Sequence, residues 1–270
     1  MRYSDIRLVA LDLDGTLLNE DKQIHEDDVK AIQAIMSKGV LVTLASARPL
    51  CSMLPYAQQL GIKIPLISLS GSYVSDMQER EILLERPIDL IIFKEMVMAF
   101  EEKDYYVKAY SKNRLFVQED DEVTQRYSKV FNVPYTAVGK KQLRALEMSL
   151  LRLAIFDEPS RIEEARETLK NWSNYFKVIR DTDRGLEIVE HTVSKGTALK
   201  SLCQHFNISL EQVMAIGNEG SDLAMIQSAG LGIAMGNACE ELKEQAVYVT
   251  KENTECGVGF AIQQYILNKV

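Results

Sequence analysis

The chain has 270 residues, which at roughly 150 residues per domain predicts two domains. Hydrophobic residues make up 46% and charged residues 26%, globular proportions that exclude a disordered, collagen-like or membrane-spanning class. Lys and Arg number 31 against 39 Asp and Glu, a formal charge of −8 without a basic cluster, which argues against nucleic-acid or anionic-membrane partners. A metal ion and a few local cations can still hold an anionic ligand in such a chain. Cys51, Cys203, Cys239 and Cys256 form no Cys-x-x-Cys pair, so free thiols in a reducing compartment are expected. Charges interrupt the first residues, and no run reaches the ~18 apolar residues of a membrane span, so the expectation is a soluble, cytoplasmic protein.

Apolar runs and helical periodicity alternate from the start. Residues 6–11 read as a strand, 24–38 as a helix ended by Gly39, 40–45 as a strand, 49–60 as a helix stopped by Gly61, and 65–69 as a third strand. That order predicts a parallel sheet covered by helices. Near Gly71 the pattern changes to a hairpin of 73–74 with 82–84, and residues 86–187 read as an inserted α+β domain with strands at 151–157 and 176–180 and a helix at 161–172. The parallel pattern resumes with a helix at 196–205, a strand at 213–216, a helix at 222–229, strands at 231–234 and 246–250, and a closing helix at 258–267. The predicted fold is α/β: a doubly wound, Rossmann-like core of residues 1–85 and 188–270 interrupted by an α+β domain.

Four loops at strand ends or helix starts carry chemistry. Asp12-Leu13-Asp14-Gly15-Thr16 follows the first strand, at the carboxyl edge where open parallel sheets bind ligands. Alternation points Asp12 and Asp14 the same way, and two close carboxylates favour a divalent cation such as Mg²⁺ between them; a solvated acidic turn is the other reading. Ser46, after the second strand, offers a hydroxyl at a helix start, where it serves as a phosphate ligand or an N-cap. Lys195 opens a helix, where the positive end of the dipole disfavours a cation unless an anion is near. Gly217-Asn218-Glu219-Gly220-Ser221-Asp222 adds oxygen donors after another apolar strand.

Together these loops resemble the haloacid dehalogenase-like hydrolases, specifically the Cof-type phosphatases, over nearly the whole chain and most densely in 8–18, 41–49, 157–159 and 213–267. The resemblance implies an Mg²⁺-dependent phosphatase acting on small phosphate esters, sugar phosphates foremost, with the inserted domain as a cap. Asp12 is then the nucleophile that forms an aspartyl-phosphate, and Asp14 the general acid and base. The N–H of Leu13, Ser46, the Ala47 backbone, Lys195 and the position of Ser221 would face the phosphate. Mg²⁺ would be held by the Asp12 side chain, the Asp14 carbonyl and the position of Asn218, with Asp222 orienting metal-bound water or Lys195. Glu187 and Asn237 match positions near the site.

The chain departs from the family pattern at Asn218, where Asp is usual, at Ser221 and Ser70, where Asn is usual, and at Ser46, where Thr is commoner. Asn218 removes one negative charge from the cation site, which predicts weaker Mg²⁺ binding. Two alternatives stay open at this point: a catalytically weakened relative that binds a phosphometabolite, and a phosphomutase. The oligomeric state is not legible.

Overall fold

The computed structural model describes residues 5–268, without the side chains of 180–182. In chain order the regular elements are β1 (Leu8–Leu11), α1 (Glu26–Ser37), β2 (Leu41–Leu44), α2 (Leu50–Leu60), β3 (Leu66–Ser68), β4 (Tyr73–Ser75), β5 (Ile82–Glu85), α3 (Leu90–Glu101), β6 (Tyr106–Ser111), β7 (Arg114–Val117), α4 (Glu122–Phe131), β8 (Tyr135–Ala137), β9 (Arg152–Phe156), α5 (Pro159–Leu169), β10 (Phe176–Thr182), β11 (Gly185–Glu190), α6 (Lys195–Phe206), β12 (Val213–Gly217), α7 (Leu223–Ser228), β13 (Leu231–Ala234), α8 (Glu240–Gln245), β14 (Tyr248–Val249) and α9 (Gly257–Ile262). The chain divides into two compact units. One takes the chain up to Ala47, Met53–Leu84 and the chain from Ser194; the other takes Arg48–Ser52 and Glu85–Val193.

The first unit is built on a five-stranded sheet in the order β14-β13-β12-β1-β2, every pair parallel. Its central strands read as unbroken apolar runs because helices cover both faces: all residues of β1, β12 and β13 are buried. The sheet is wound outward from β1 in two directions, first through β2 and later through β12, so the carboxyl end of β1 is the switch point where the strand order reverses. The third predicted strand, β3, meets β2 through a single parallel bridge, Ala45–Ile67, and otherwise pairs antiparallel with β4 in a separate sheet β3-β4-β5. The reason lies in the turn that follows: Leu69 and Ser70 are left-handed (φ 48° and 59°) and send the chain straight back along β3.

The second unit is a six-stranded sheet, β10-β11-β9-β6-β7-β8, in which only β7 and β8 run parallel. One face carries Val107, Leu153, Ile155, Leu186 and Ile188, which pack with Phe93, Val97 and Phe100 of α3 and with Ile162 and Ala165 of α5. Register puts Lys108, Ala154 and Glu187 in one row of the other face, and Tyr110 beside Arg152 in the next. No helix among the described residues is long and apolar enough to cross a membrane.

Candidate active site

The segment after β1 is a tight turn tied to one atom. The Leu13 carbonyl accepts hydrogen bonds from the N–H groups of Thr16, Leu17 and Leu18 at 3.3, 3.0 and 2.9 Å. Gly15 makes the turn possible, with φ +78° and an ideal Cβ position only 2.4 Å from the Asn218 amide. Asn237 holds the same turn from the other side, its Nδ2 donating to the Gly15 carbonyl at 2.8 Å.

Lys195 lies at the centre of the arrangement. Its ammonium, 2% exposed, is 2.6 Å from Asp12 Oδ1 and 2.6 Å from Asp222 Oδ1, both buried. The two carboxylates account for a cation in the first turn of α6. Burial works against its charge, but Asp12 and Asp222 outweigh it and hold the ammonium protonated. Asp12 sits in the complementary state: burial first, then the negative charge of Asp222, raise its carboxyl, with Lys195 opposing. The start of α6 is fixed by a reciprocal cap, in which Ser194 Oγ accepts from the Thr197 N–H at 3.0 Å and Thr197 Oγ1 accepts from the Ser194 N–H at 2.9 Å.

Asp222 also organises the loop after β12. Its Oδ2 accepts the N–H groups of Asn218 and Glu219 at 3.0 and 3.1 Å. Both of its oxygens are therefore engaged, one with Lys195 and one with the backbone. Of the two roles expected of Asp222, this geometry gives it the orientation of Lys195, and ligation of a metal would require that network to open.

The orientation of the Asn218 amide follows from its neighbours, all of them acceptors or able to accept. With Nδ2 turned towards them, it donates to Asp12 Oδ2 at 3.1 Å, the Asp14 carbonyl at 3.0 Å and Thr16 Oγ1 at 3.0 Å. The amide thus bridges the two oxygens expected to bind a cation. The Asp14 side chain points outward, 38% exposed, and pairs with Lys22 at 2.9 Å.

Asp12, Lys195, Asp222 and Asn218 are joined in one network, and the backbone of Asp14 belongs to it. Ser46 is buried at the carboxyl end of β2, with its N–H donating to the Ile67 carbonyl at 2.9 Å, and Ala47 follows it. Ser221 is half-buried in the short turn before α7. Ser70 is buried, and among the described residues its hydroxyl has no hydrogen-bond partner. Glu187 belongs to the second unit, paired with Arg152 at 3.2 Å. Sequence reasoning passed over Lys22, whose signal was one cation in an acidic turn, and Thr16 as a partner of Asn218.

The chain is similar to known proteins along almost its whole length. A family model described as haloacid dehalogenase-like hydrolase matches residues 9–262. The 5-amino-6-(5-phospho-D-ribitylamino)uracil phosphatase YcsE of Bacillus subtilis is 29% identical over 263 residues, covering 97% of each chain. Among solved structures, TM0651 of Thermotoga maritima superposes with a TM-score of 0.85 at 30% identity, covering 96% of this chain and 97% of its own. A haloacid dehalogenase-like hydrolase of Bacteroides thetaiotaomicron gives a TM-score of 0.86 at 25% identity, with 96% and 98% covered. By a match that runs from β1 to the end of α9, the chain belongs to the haloacid dehalogenase-like hydrolases.

Proposed function

We propose that the chain is an Mg²⁺-dependent phosphoric monoester hydrolase of small phosphorylated metabolites of the sugar-phosphate class, working through an aspartyl-phosphate on Asp12. The observation that carries this reading is the buried ammonium of Lys195, 2.6 Å from both Asp12 and Asp222 at the switch-point edge of the sheet. YcsE is named for a substrate whose phosphate sits on a ribityl chain, which supports a sugar-like leaving group. The four free cysteines support a cytoplasmic setting.

The donor set fits a hard cation. The Asn218 amide terminus lies 3.1 Å from Asp12 Oδ2 and 3.0 Å from the Asp14 carbonyl. Asp12 Oδ2, the Asp14 carbonyl and, with the amide turned, Asn218 Oδ1 would hold Mg²⁺, since they are the hard oxygen donors that this cation takes. When bound, Mg²⁺ offsets the repulsion between the Asp12 carboxylate and a phosphate dianion.

Asp12 Oδ1, held by Lys195, attacks phosphorus as the ester bond to the leaving oxygen breaks. Asp14 is assigned the roles of general acid and base: once its pair with Lys22 opens and its carboxyl takes up a proton, it gives that proton to the leaving oxygen, then takes one from the water that cleaves the phosphoryl group from Asp12. Lys195 stays charged throughout and balances the anionic transition states, with Asp222 keeping it in position. The Leu13 N–H, the Ser46 hydroxyl, the Ala47 backbone and the Ser221 hydroxyl are assigned to the phosphate oxygens. The second unit is assigned the role of cap, excluding water from the first step and selecting the leaving group.

The test is phosphate release from p-nitrophenyl phosphate and a panel of sugar phosphates across an Mg²⁺ titration. Release that requires Mg²⁺ and disappears in Asp12→Asn supports the proposal, and silence of the wild type at every Mg²⁺ concentration overturns it. Release restored by Asn218→Asp would then favour the weakened relative, to which the amide bridge lends specific support. An isomerised ester without free phosphate would identify a phosphomutase.

A further inference from the structure

His25, Asp27 and Cys256 meet within the first unit, and none of them is assigned to the phosphate or to Mg²⁺. One ligating atom of each, an imidazole nitrogen, a carboxylate oxygen and a thiol sulfur, lies within 4.8 Å of the other two. Packing of α1 on α9 brings them together across 231 positions of the chain. His25 and Asp27 are exposed and Cys256 is half-buried, so ions in solvent reach the group. His25 precedes α1, a place where Ser, Asp or Asn is the better cap. Its Nδ1 accepts the Asp27 N–H at 3.2 Å, which puts the ring proton on Nε2 and leaves Nδ1 with a lone pair. Cys256 Sγ lies 2.8 Å from the same nitrogen, so the thiol donates to it. Cys256 keeps that place on a left-handed backbone, φ 56°, that glycine would adopt at less cost. Asp27 pairs with Lys30 at 2.9 Å, an exposed and therefore weak pair. Asp28, next in the chain, is fully buried; its Oδ1 accepts the Gly259 N–H, and among the described residues its Oδ2 has no hydrogen-bond partner.

We propose that His25 Nδ1, Asp27 and Cys256 Sγ form a site for a thiophilic divalent cation, Zn²⁺ foremost, with water as the fourth ligand. Zn²⁺ bonds of ~2.3 Å to sulfur and ~2.0 Å to nitrogen or oxygen put tetrahedral ligands about 3.4–3.6 Å apart. That spacing lies between the 2.8 Å contact of His25 with Cys256 and the 4.8 Å limit of the group, and rotation of two exposed side chains spans the difference. A cavity of about 290 Å³, bounded in part by Asp27 and Cys256, leaves room for the water. Zn²⁺ takes the lone pair that Nδ1 shares between the Asp27 N–H and the thiol, and the thiol proton passes to solvent as the sulfur becomes a thiolate. The thiolate and Asp27 offset both charges of the ion, while Lys251 and Glu255 on the cavity wall oppose one another. Sulfur and imidazole ligands select against Mg²⁺, which takes oxygen donors. The site clips the start of α1 to the start of α9 and does not depend on the phosphatase reading.

The test is titration of the full chain, its thiols reduced and Mg²⁺ in excess to compete for sites made of carboxylates alone. Co²⁺ is followed by absorption, and Zn²⁺ by its competition with Co²⁺ and by thermal unfolding. One equivalent of Co²⁺ should give a thiolate-to-cobalt charge-transfer band, and Zn²⁺ should displace it and raise the Tm. Cys256→Ser should abolish the band, whereas Cys51→Ser and Cys239→Ser should keep it. His25→Asn retains a helix cap, so the variant is expected to fold, and it should bind Co²⁺ tenfold or more weakly. Asp27→Asn should weaken binding as well, with the band retained at saturation. A chain that gives no band, a band that survives Cys256→Ser or is not displaced by Zn²⁺, or an affinity untouched by His25→Asn overturns the site. Neither the band nor the Tm depends on turnover, so failure of the phosphatase reading would leave this result standing.

Discussion

Replacing Asn218 by Asp changes one atom's chemistry at the most crowded point of the site. The amide nitrogen 3.1 Å from Asp12 Oδ2 becomes a carboxylate oxygen; the hydrogen bonds to Asp12 Oδ2 and the Asp14 carbonyl become contacts between acceptors, while the Thr16 hydroxyl turns to donate to the new carboxylate. Two unit charges at that 3.1 Å spacing repel by about 5 kcal/mol at an effective dielectric constant of ~20. Lys195, 2.6 Å from the other oxygen of Asp12, and uptake of a proton offset part of this, leaving a net cost on the order of 2–3 kcal/mol. For a chain of this size that corresponds to a Tm lower by about 4–5 °C in EDTA. Mg²⁺ should reverse the order, because a carboxylate ligand needs no amide rotation and adds a charge to the cation site. Apparent Mg²⁺ affinity should tighten tenfold or more, equivalent to about 1.4 kcal/mol. Thermal unfolding of both proteins in EDTA and across an Mg²⁺ titration reads both effects. An Asn218→Asp protein with wild-type Tm in EDTA and an unshifted Mg²⁺ midpoint would refute the bridging amide.

Lys195→Met should cost about 3–5 kcal/mol in denaturant unfolding because it leaves Asp12 and Asp222 buried without a cation; Lys195→Met with Asp222→Asn should recover much of that stability, and no recovery would contradict the charge argument. Asp28 is raised to about 6 by burial, while its Oδ1 accepts the Gly259 N–H at 2.6 Å. The folded chain thus keeps a proton that the unfolded chain has lost between about pH 4 and 6, so stability falls as pH rises through that window. Asp28→Asn should remove that slope, gaining on the order of 2–3 kcal/mol on the wild type between pH 4 and 7; a difference independent of pH would refute it. Gly15→Ala places a Cβ 2.4 Å from the Asn218 amide on a backbone at φ +78°, whereas Gly61→Ala, at φ +77°, meets nothing within 4 Å. Gly61→Ala should therefore lose only the ~1–2 kcal/mol of the left-handed backbone, and Gly15→Ala more, together with Mg²⁺ affinity.

The core sheet was legible because its strands are buried on both faces. Leu231–Ala234 coincides with the strand read from the sequence, and β1, β2 and β12 fall within a residue or two of theirs. Apolar content alone did not distinguish the end of the parallel sheet from the start of the antiparallel one, so β3 was read into the wrong sheet. The closing helix, read as continuous to Leu267, ends at Ile262 and finishes in a wider turn over Gln263–Leu267, which periodicity does not resolve. At the site, loops after β1, β2 and β12 were recognisable one by one, and the parallel topology is what gathers them at one edge. The contacts were not legible. Asn218 meets Thr16 across 202 positions, and no local pattern encodes which way an amide faces.

The central claim is that Asp12 carries the phosphoryl group. Single-turnover reaction with a substrate found in the phosphate-release panel, quenched in acid and digested for mass spectrometry, tests it most directly. The account predicts a phosphorylated peptide containing Asp12 that forms before free phosphate, decays as phosphate appears and is missing from Asp12→Asn. Phosphate released with no adduct at any time, or an adduct on another residue, would contradict it.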